Sequence, residues 1–201
     1  MPAPKPSERT LFVSNHPLGG LDGIILIKQL AEHYDDQVLT FVNDILLYIK
    51  PIRHYFIPIN KIGRQSRQVA ELTDKAYHSD MQLLTFPAGA CSRRINGIIQ
   101  DLEWKKSFVQ KAVETQRNIV PIYFDGHNSN FFYWLSNTRK RLGIKNNIEM
   151  LLLPRELFKQ RNATFHIRIG QPVNWQTIDN SRNTSAWATW FRQHTYALAH
   201  K

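Results

Sequence analysis

Six short apolar runs constrain what this chain can fold into. They are "TLFVSN" (10–15), "QVLTFV" (37–42), "YFIPIN" (55–60), "QLLTF" (82–86), "NIVPIYFDG" (118–126) and "ATFHIRIG" (163–170), each of strand length. Between most of them lie stretches with helical character: 21–34, with Asp22 in its first turn; "NDILLYIK" (43–50), stopped by Pro51; roughly 65–79; and 104–117, where Trp104, Phe108 and Ala112 share helical spacing. A last helix, 185–200, closes the chain. Alternation of this kind predicts an α/β class: a single layered domain with a mostly parallel or mixed sheet flanked by helices. Several runs are apolar without interruption, as expected of strands covered on both faces. No repeat, low-complexity stretch or linker interrupts residues 1–201, which read as one domain. Three polar, glycine-bearing turns, 15–23, 60–67 and 87–94, follow strands. Ligands of open α/β sheets bind beyond the carboxyl ends of strands, so these turns are expected to converge on one site.

The balance of residues narrows the function classes. With 201 residues and 42% hydrophobic content the chain can bury a real core. Its formal net charge of +10 suits polyanions: nucleic acid, anionic lipid headgroups, or phosphate-bearing carriers. Basic clusters stand at Arg93-Arg94, Lys105-Lys106 and Arg139 to Arg141. No helix-turn-helix, RNA-recognition or zinc pattern accompanies the charge, so nucleic acid is not the expected partner. The single cysteine, Cys91, excludes an intramolecular disulfide and fits a reducing compartment, and no local feature activates it as a nucleophile. No run approaches the roughly 20 apolar residues of a membrane span, and "MPAPKPSERT" lacks a signal-peptide core. A cytoplasmic protein is expected.

"NHPLGGLDG" (15–23) carries the first candidate chemistry. A neutral imidazole at His16 can take a proton from a hydroxyl, and a carboxylate on its other nitrogen fixes the tautomer and stabilises the cation that forms. Gly19 and Gly20 allow the turn to fold back and bring His16 to Asp22. Taken alone, a first-turn acid beside a turn histidine is the plainer reading. The second turn, "IPINKIGRQSRQ" (57–68), sets Asn60, Lys61, Arg64 and Arg67 around Gly63, a set able to grip phosphate or to form a solvated basic loop. The third, "FPAGACSRR" (86–94), offers close backbone approach at Gly89 and anion contacts at Ser92 or Arg93.

Read in order, these blocks and "VPIYF" resemble the glycerolipid acyltransferase family of the 1-acylglycerol-3-phosphate type. More narrowly they look like its hemolysin-like branch of lysophospholipid and lyso-aminolipid acyltransferases. The resemblance covers roughly residues 10–175. It implies transfer of a fatty acyl group from an acyl carrier protein or coenzyme A thioester to the hydroxyl of a lysolipid, with no bound cofactor and no metal. By the same analogy His16 is the general base and Asp22 its partner. Asn60, Lys61, Arg64 and Arg67 would bind the acceptor headgroup, Gly89, Ser92 and Arg93 would shape its site, and Pro121 would wall the acyl tunnel.

Three departures accompany the resemblance. Five residues separate His16 from Asp22, where four are usual, although the hemolysin-like branch has a similar turn. Ala88 and Ala90 stand where relatives place an acid. The sequence begins almost at the first block, whereas many relatives carry membrane-docking helices upstream, so either the chain is shortened or the expected peripheral contact with the anionic inner face of the cytoplasmic membrane uses another surface. Trp187, Trp190, Phe191 and His194 fall near one face of the last helix and suit either a core or an interface. "NSNFFYWLSNTRKRLG" (128–143) is the better interfacial candidate, because four consecutive aromatics, Phe131 to Trp134, are too crowded for one buried face. A lipid- or carrier-binding relative without turnover, and a basic nucleic-acid-binding domain, are the alternatives.

Overall fold

The structure, a computed structural model, describes residues 8–59 and 67–200. In chain order these form β1 (Thr10–Ser14), α1 (Leu21–His33), β2 (Val38–Val42), β3 (Phe56–Pro58), α2 (Arg67–His78), β4 (Gln82–Thr85), β5 (Arg93–Ile95) and β6 (Ile98–Gln100). Then follow α3 (Ser107–Glu114), β7 (Asn118–Asp125), α4 (Asn130–Arg141), α5 (Leu153–Lys159), β8 (His166–Ile169) and α6 (Thr184–Ala197). The main sheet has the order β3-β2-β4-β1-β7-β8. Its strand pairs are parallel except β7 with β8, which run antiparallel. This is the mixed sheet flanked by helices that the alternation predicts.

Burial on both faces explains the uninterrupted apolar runs. Every residue of β1 is buried. Leu11 pairs with Leu83 and Ile119 across the sheet, and this row packs with Phe108 and Ala112 of α3 and Trp187 and Phe191 of α6. Phe12, one residue on, points the other way with Leu84 and Val120, against Leu26, Ile27 and Leu30 of α1. The aromatic stripe of α6 is thus largely core: Trp187 and Phe191 are buried, and His194 stacks on Trp190 with ring centroids 3.5 Å apart.

One local expectation is corrected. Residues 43–50 do not form a helix stopped by Pro51; two short 3₁₀ segments, Asp44–Tyr48 and Lys50–Tyr55, occupy this stretch. Pro51 lies in the first turn of the second, where a fixed φ and a missing N–H are tolerated. The aromatic run 131–134 lies on α4 and divides its bulk: Phe132 and Tyr133 are buried, while Phe131 and Trp134 face outward and stack on each other. A β5–β6 hairpin around Asn96-Gly97, both at positive φ, is a further element that the run pattern does not announce.

Arg117 ties the α2–β4 corner together. Its wholly buried guanidinium donates to the carbonyls of Ala76, Tyr77, Ser79 and Met81, closing the carbonyl end of α2.

Candidate active site

Neighbouring parallel strands place the first and third turns together. Val13 of β1 pairs with Thr85 of β4, so the chain leaves both carboxyl ends side by side. Ser92 N–H then donates to the His16 carbonyl at 2.8 Å. Asn15 anchors the first turn from the other flank: its amide donates to the Phe124 carbonyl at 2.9 Å and accepts from Phe124 N–H at 2.7 Å. Buried Asn128 holds the Pro17 carbonyl at 3.2 Å.

Within this frame His16 meets Asp22. Gly19 takes φ +75°, the left-handed turn that brings the carboxylate back, and His16 Nδ1 lies 3.0 Å from Asp22 Oδ2. The five-residue spacing is therefore compatible with the pair. Asp22 is wholly buried, and its two oxygens accept from the N–H groups of Leu18 (3.0 Å), Gly20 (3.1 Å) and Gly23 (2.9 Å). Burial pushes this carboxyl up, but the charge and hydrogen bond of His16 and the N–H groups of Leu18 and Gly23 outweigh it and hold the group below its ordinary range. The His16 side chain is 17% exposed, and Phe86 packs along its ring at a centroid distance of 4.2 Å. Nε2 has no hydrogen-bond partner among the described residues.

A second buried carboxylate, Asp101, stands beside His16. It is 1% exposed, and its Oδ1 accepts from His16 N–H at 3.2 Å and from the Ser92 hydroxyl at 2.5 Å. Trp104 Nε1 donates to its other oxygen at 2.9 Å. Burial drives the Asp101 carboxyl up, partly offset by the Ser92 and Trp104 hydrogen bonds. Sequence reasoning missed this residue. The signal was the Asn96-Gly97 turn: pairing of Arg93 with Gln100 carries the chain back, so that Asp101 returns to Ser92.

The other expected site residues are distributed as follows. Gly89 and Ser92 lie on the third turn, Gly89 at φ +67°. A Cβ at Gly89 would meet Lys105 Nζ at 3.3 Å, so this exposed lysine folds over the glycine. Arg93 is not a free cation: 2% exposed, it donates to Glu149 at 2.9 Å and to the Cys91 carbonyl at 2.8 Å. Glu149, fully buried, also pairs with Arg139 at 2.8 Å. Arg67 opens α2 with a side chain 94% exposed and paired to Glu71. Pro121 is buried in β7 opposite Val13, its ring against Gly170. Asn60, Lys61 and Arg64 lie outside the described residues.

Two further groups among the described residues bear on nucleophile and metal chemistry. Burial pushes the Cys91 thiol up against the pull of Arg93, which opposes thiolate formation. Exposed Asp74, His78 and Glu114 come together as metal ligands could, but Lys111 Nζ already bridges Asp74 and Glu114 at 3.2 and 3.0 Å. No helix among the described residues is long and apolar enough to cross a membrane.

A layered α/β fold with a histidine–aspartate pair at the carboxyl end of its central strand is an arrangement suited to acyl transfer. The chain belongs to the acyltransferase family, whose model matches residues 3–201, and it is an O-acyltransferase. It is 47% identical over 187 residues to a lyso-glycine lipid O-acyltransferase of Bacteroides thetaiotaomicron, covering 93% of this chain and 69% of that protein. A lyso-glycine lipid O-acyltransferase of Phocaeicola vulgatus is 48% identical over 187 residues, with 93% and 67% covered. The fold is also that of the 1-acyl-sn-glycerophosphate acyltransferase PlsC of Thermotoga maritima. That match has a TM-score of 0.53 and 16% identity and covers 98% of this chain and 67% of that one.

Proposed function

We propose that this acyltransferase moves a fatty acyl group from a thioester to the free hydroxyl of a lyso-glycine lipid, with His16 as general base. The observation that carries the reading is the 3.0 Å contact of His16 Nδ1 with a buried Asp22 locked by backbone N–H groups. The acceptor class follows the names of the two relatives.

Nδ1–H donates a hydrogen bond to the Asp22 carboxylate, so Nε2 carries the lone pair and faces the acceptor. Nε2 takes the hydroxyl proton as the oxygen attacks the thioester carbonyl carbon. The tetrahedral intermediate collapses by breaking the carbon–sulfur bond. The leaving thiolate then recovers the proton from the imidazolium, giving one ester and one thiol. Buried Asp22 stabilises the transient imidazolium, and Asp101 holds the His16 backbone in place through its N–H.

The donor is an acyl carrier protein or coenzyme A thioester. Gly89 and Ser92 shape the acceptor side, and Lys105 offers the anionic headgroup a cation at the third turn. Asn60, Lys61, Arg64 and Arg67 are headgroup contacts of the second turn, and Pro121 stands beside the acyl chain. The protein works on the inner face of the cytoplasmic membrane.

The test is thiol release from a long-chain acyl thioester, offered on carrier protein or coenzyme A, with and without lyso-glycine lipid. Wild type is expected to release thiol only with the acceptor and to form the matching ester. His16→Ala is expected to lose at least ~10²-fold, the low end for removal of a general base. Equal rates for the two proteins overturn the assignment of His16.

A further inference from the structure

Exposed apolar side chains are not scattered over this protein. Of the eleven large hydrophobic residues exposed among the described residues, eight fall between Phe131 and Phe158, a concentration that marks an interaction surface. Trp134 is 58% exposed, Leu142 70%, Leu151 82% and Phe158 76%. They lie on α4, on the 3₁₀ segment Ile148–Leu152 and on α5, elements packed against one another. Arg155 of α5 sits 5.8 Å over the Phe131 ring of α4, which joins the two helices at the surface.

Charge on the same segment is sorted by burial. Its two acids, Glu149 and Glu156, are 0% and 1% exposed, each turned inward: Glu149 to Arg93 and Arg139, Glu156 to Ser129 N–H and hydroxyl. Lys140, Arg141, Lys145, Arg155, Lys159 and Arg161 are all exposed. Every exposed charge from residue 130 to 161 is therefore positive.

We infer that the α4–α5 face docks on an anionic lipid bilayer. Trp134, Leu151 and Phe158 enter the boundary between headgroups and acyl chains, and the six cations sit at the headgroup level. The uniform sign of the exposed charge selects an anionic surface, and the exposed apolar anchors, which a purely electrostatic contact does not need, select a lipid one. The same face borders the catalytic turn. Leu153, the first residue of α5, packs on Gly19, where a Cβ would meet its Cδ1 at 3.2 Å. Docking on this face therefore brings the turn that carries His16 close to the membrane that holds a lysolipid. That last consequence rests on the proposed acyl transfer; the docking itself does not.

Vesicle flotation tests it. Wild type, Leu151→Ser/Phe158→Ser, Lys140→Gln/Lys145→Gln and His16→Ala are floated with phosphatidylcholine vesicles, with or without phosphatidylglycerol. Wild type and His16→Ala are expected to partition equally onto the anionic vesicles and more weakly onto the neutral ones. Each surface variant is expected to lose at least ~10-fold in partition. Their thermal midpoints should match wild type, since these side chains are exposed. Failure of wild type to bind anionic vesicles, or unchanged binding of the surface variants, overturns the inference. So does loss of binding to acidic acyl carrier protein with vesicle binding intact. Vesicle binding in this pattern without thiol release would leave the docking face standing and remove the acyl-transfer reading; thiol release without vesicle binding removes the docking face alone.

Discussion

Asp101 holds His16 from 85 residues away, accepting its backbone N–H at 3.2 Å while the same oxygen takes the Ser92 hydroxyl. The carboxylate thus fastens the third turn to the first. Asp101→Ala leaves the His16 N–H, the Ser92 hydroxyl and the Trp104 indole N–H without this acceptor, at about 1–3 kcal/mol for each buried group left unpaired. Asp101→Asn keeps an acceptor oxygen for His16 and Ser92 but turns an amide N–H₂ toward Trp104. Because Asp101 acts through the position of His16, kcat should fall by ~10-fold or more in the alanine variant with KM little changed. The asparagine variant should recover part of it. Steady-state kinetics on both, beside their thermal midpoints, separates positioning from a merely structural role.

The two buried aspartates should leave opposite marks on stability against pH. Asp22 has its pKa lowered on folding, so it contributes stability above the ordinary carboxylate range that is lost as pH falls through the folded value. For Asp101 the folded pKa is raised by burial, so a penalty grows as pH rises from the unfolded value through the folded one. Urea midpoints between pH 3 and 7 should show Asp22→Asn with a shallower acid loss than wild type. Asp101→Asn should lack the penalty that wild type acquires on rising through this window. Parallel curves for all three proteins would contradict both assignments.

Glu149 sits between two arginines with no water-facing side, so removing its charge should cost far more than removing an exposed partner. Breaking one member of a buried ion pair costs about 3–5 kcal/mol, and at this chain length roughly 2–4 °C follows from each kcal/mol. Glu149→Gln is expected to lower the thermal midpoint by about 6 °C or more on that scale. Arg67→Ala, whose side chain is 94% exposed, should stay within about 0.5 kcal/mol of wild type.

What was legible in the sequence was local. The strand–turn–helix around "NHPLGGLDG" follows from apolar patterning and glycine, because His16 and Asp22 are only six positions apart and their meeting is decided within one turn. Residues paired over long separations were not legible. Arg93 reads as a free cation until Glu149, 56 residues on, is found beneath it. Asp101 comes to Ser92 only through the β5–β6 hairpin. The division of the aromatic run 131–134 follows from helix geometry: a helix advances about 100° per residue, so four neighbours point to different sides, and two are buried while two are exposed. The expected headgroup contacts Asn60, Lys61 and Arg64 fall outside the described residues.

Two glycines of the first turn should respond in opposite directions to a methyl group. At Gly19, φ +75° disfavours an L side chain, and a Cβ would lie 2.8 Å from Cys91 Cβ. Gly19→Ala should destabilise by more than about 1 kcal/mol. At Gly23, inside α1, a Cβ would meet Phe86 at an ordinary 3.5 Å. Gly23→Ala should gain up to about 1 kcal/mol from helix propensity. Chemical denaturation of the two variants against wild type reads both signs, and a loss at Gly23 equal to that at Gly19 would refute the argument from space.

His16 and Asp22 should behave as one unit. If Asp22 works only by orienting the imidazole and stabilising its cation, it has nothing to act on once the imidazole is gone. His16→Ala should then cost at least ~10²-fold in kcat/KM, and Asp22→Asn, which disturbs the tautomer, a comparable factor. The double variant should cost no more than His16→Ala alone, because catalytic groups that act together are not additive. Multiplied losses in the double variant would mean that Asp22 serves the reaction by a route of its own. Stability measured beside the rates guards the inference, since Asp22→Asn also turns an amide N–H₂ toward the N–H groups of Leu18, Gly20 and Gly23. A double-mutant cycle in which kinetic coupling is near complete, while the stability losses remain those of the single variants, is the expected result.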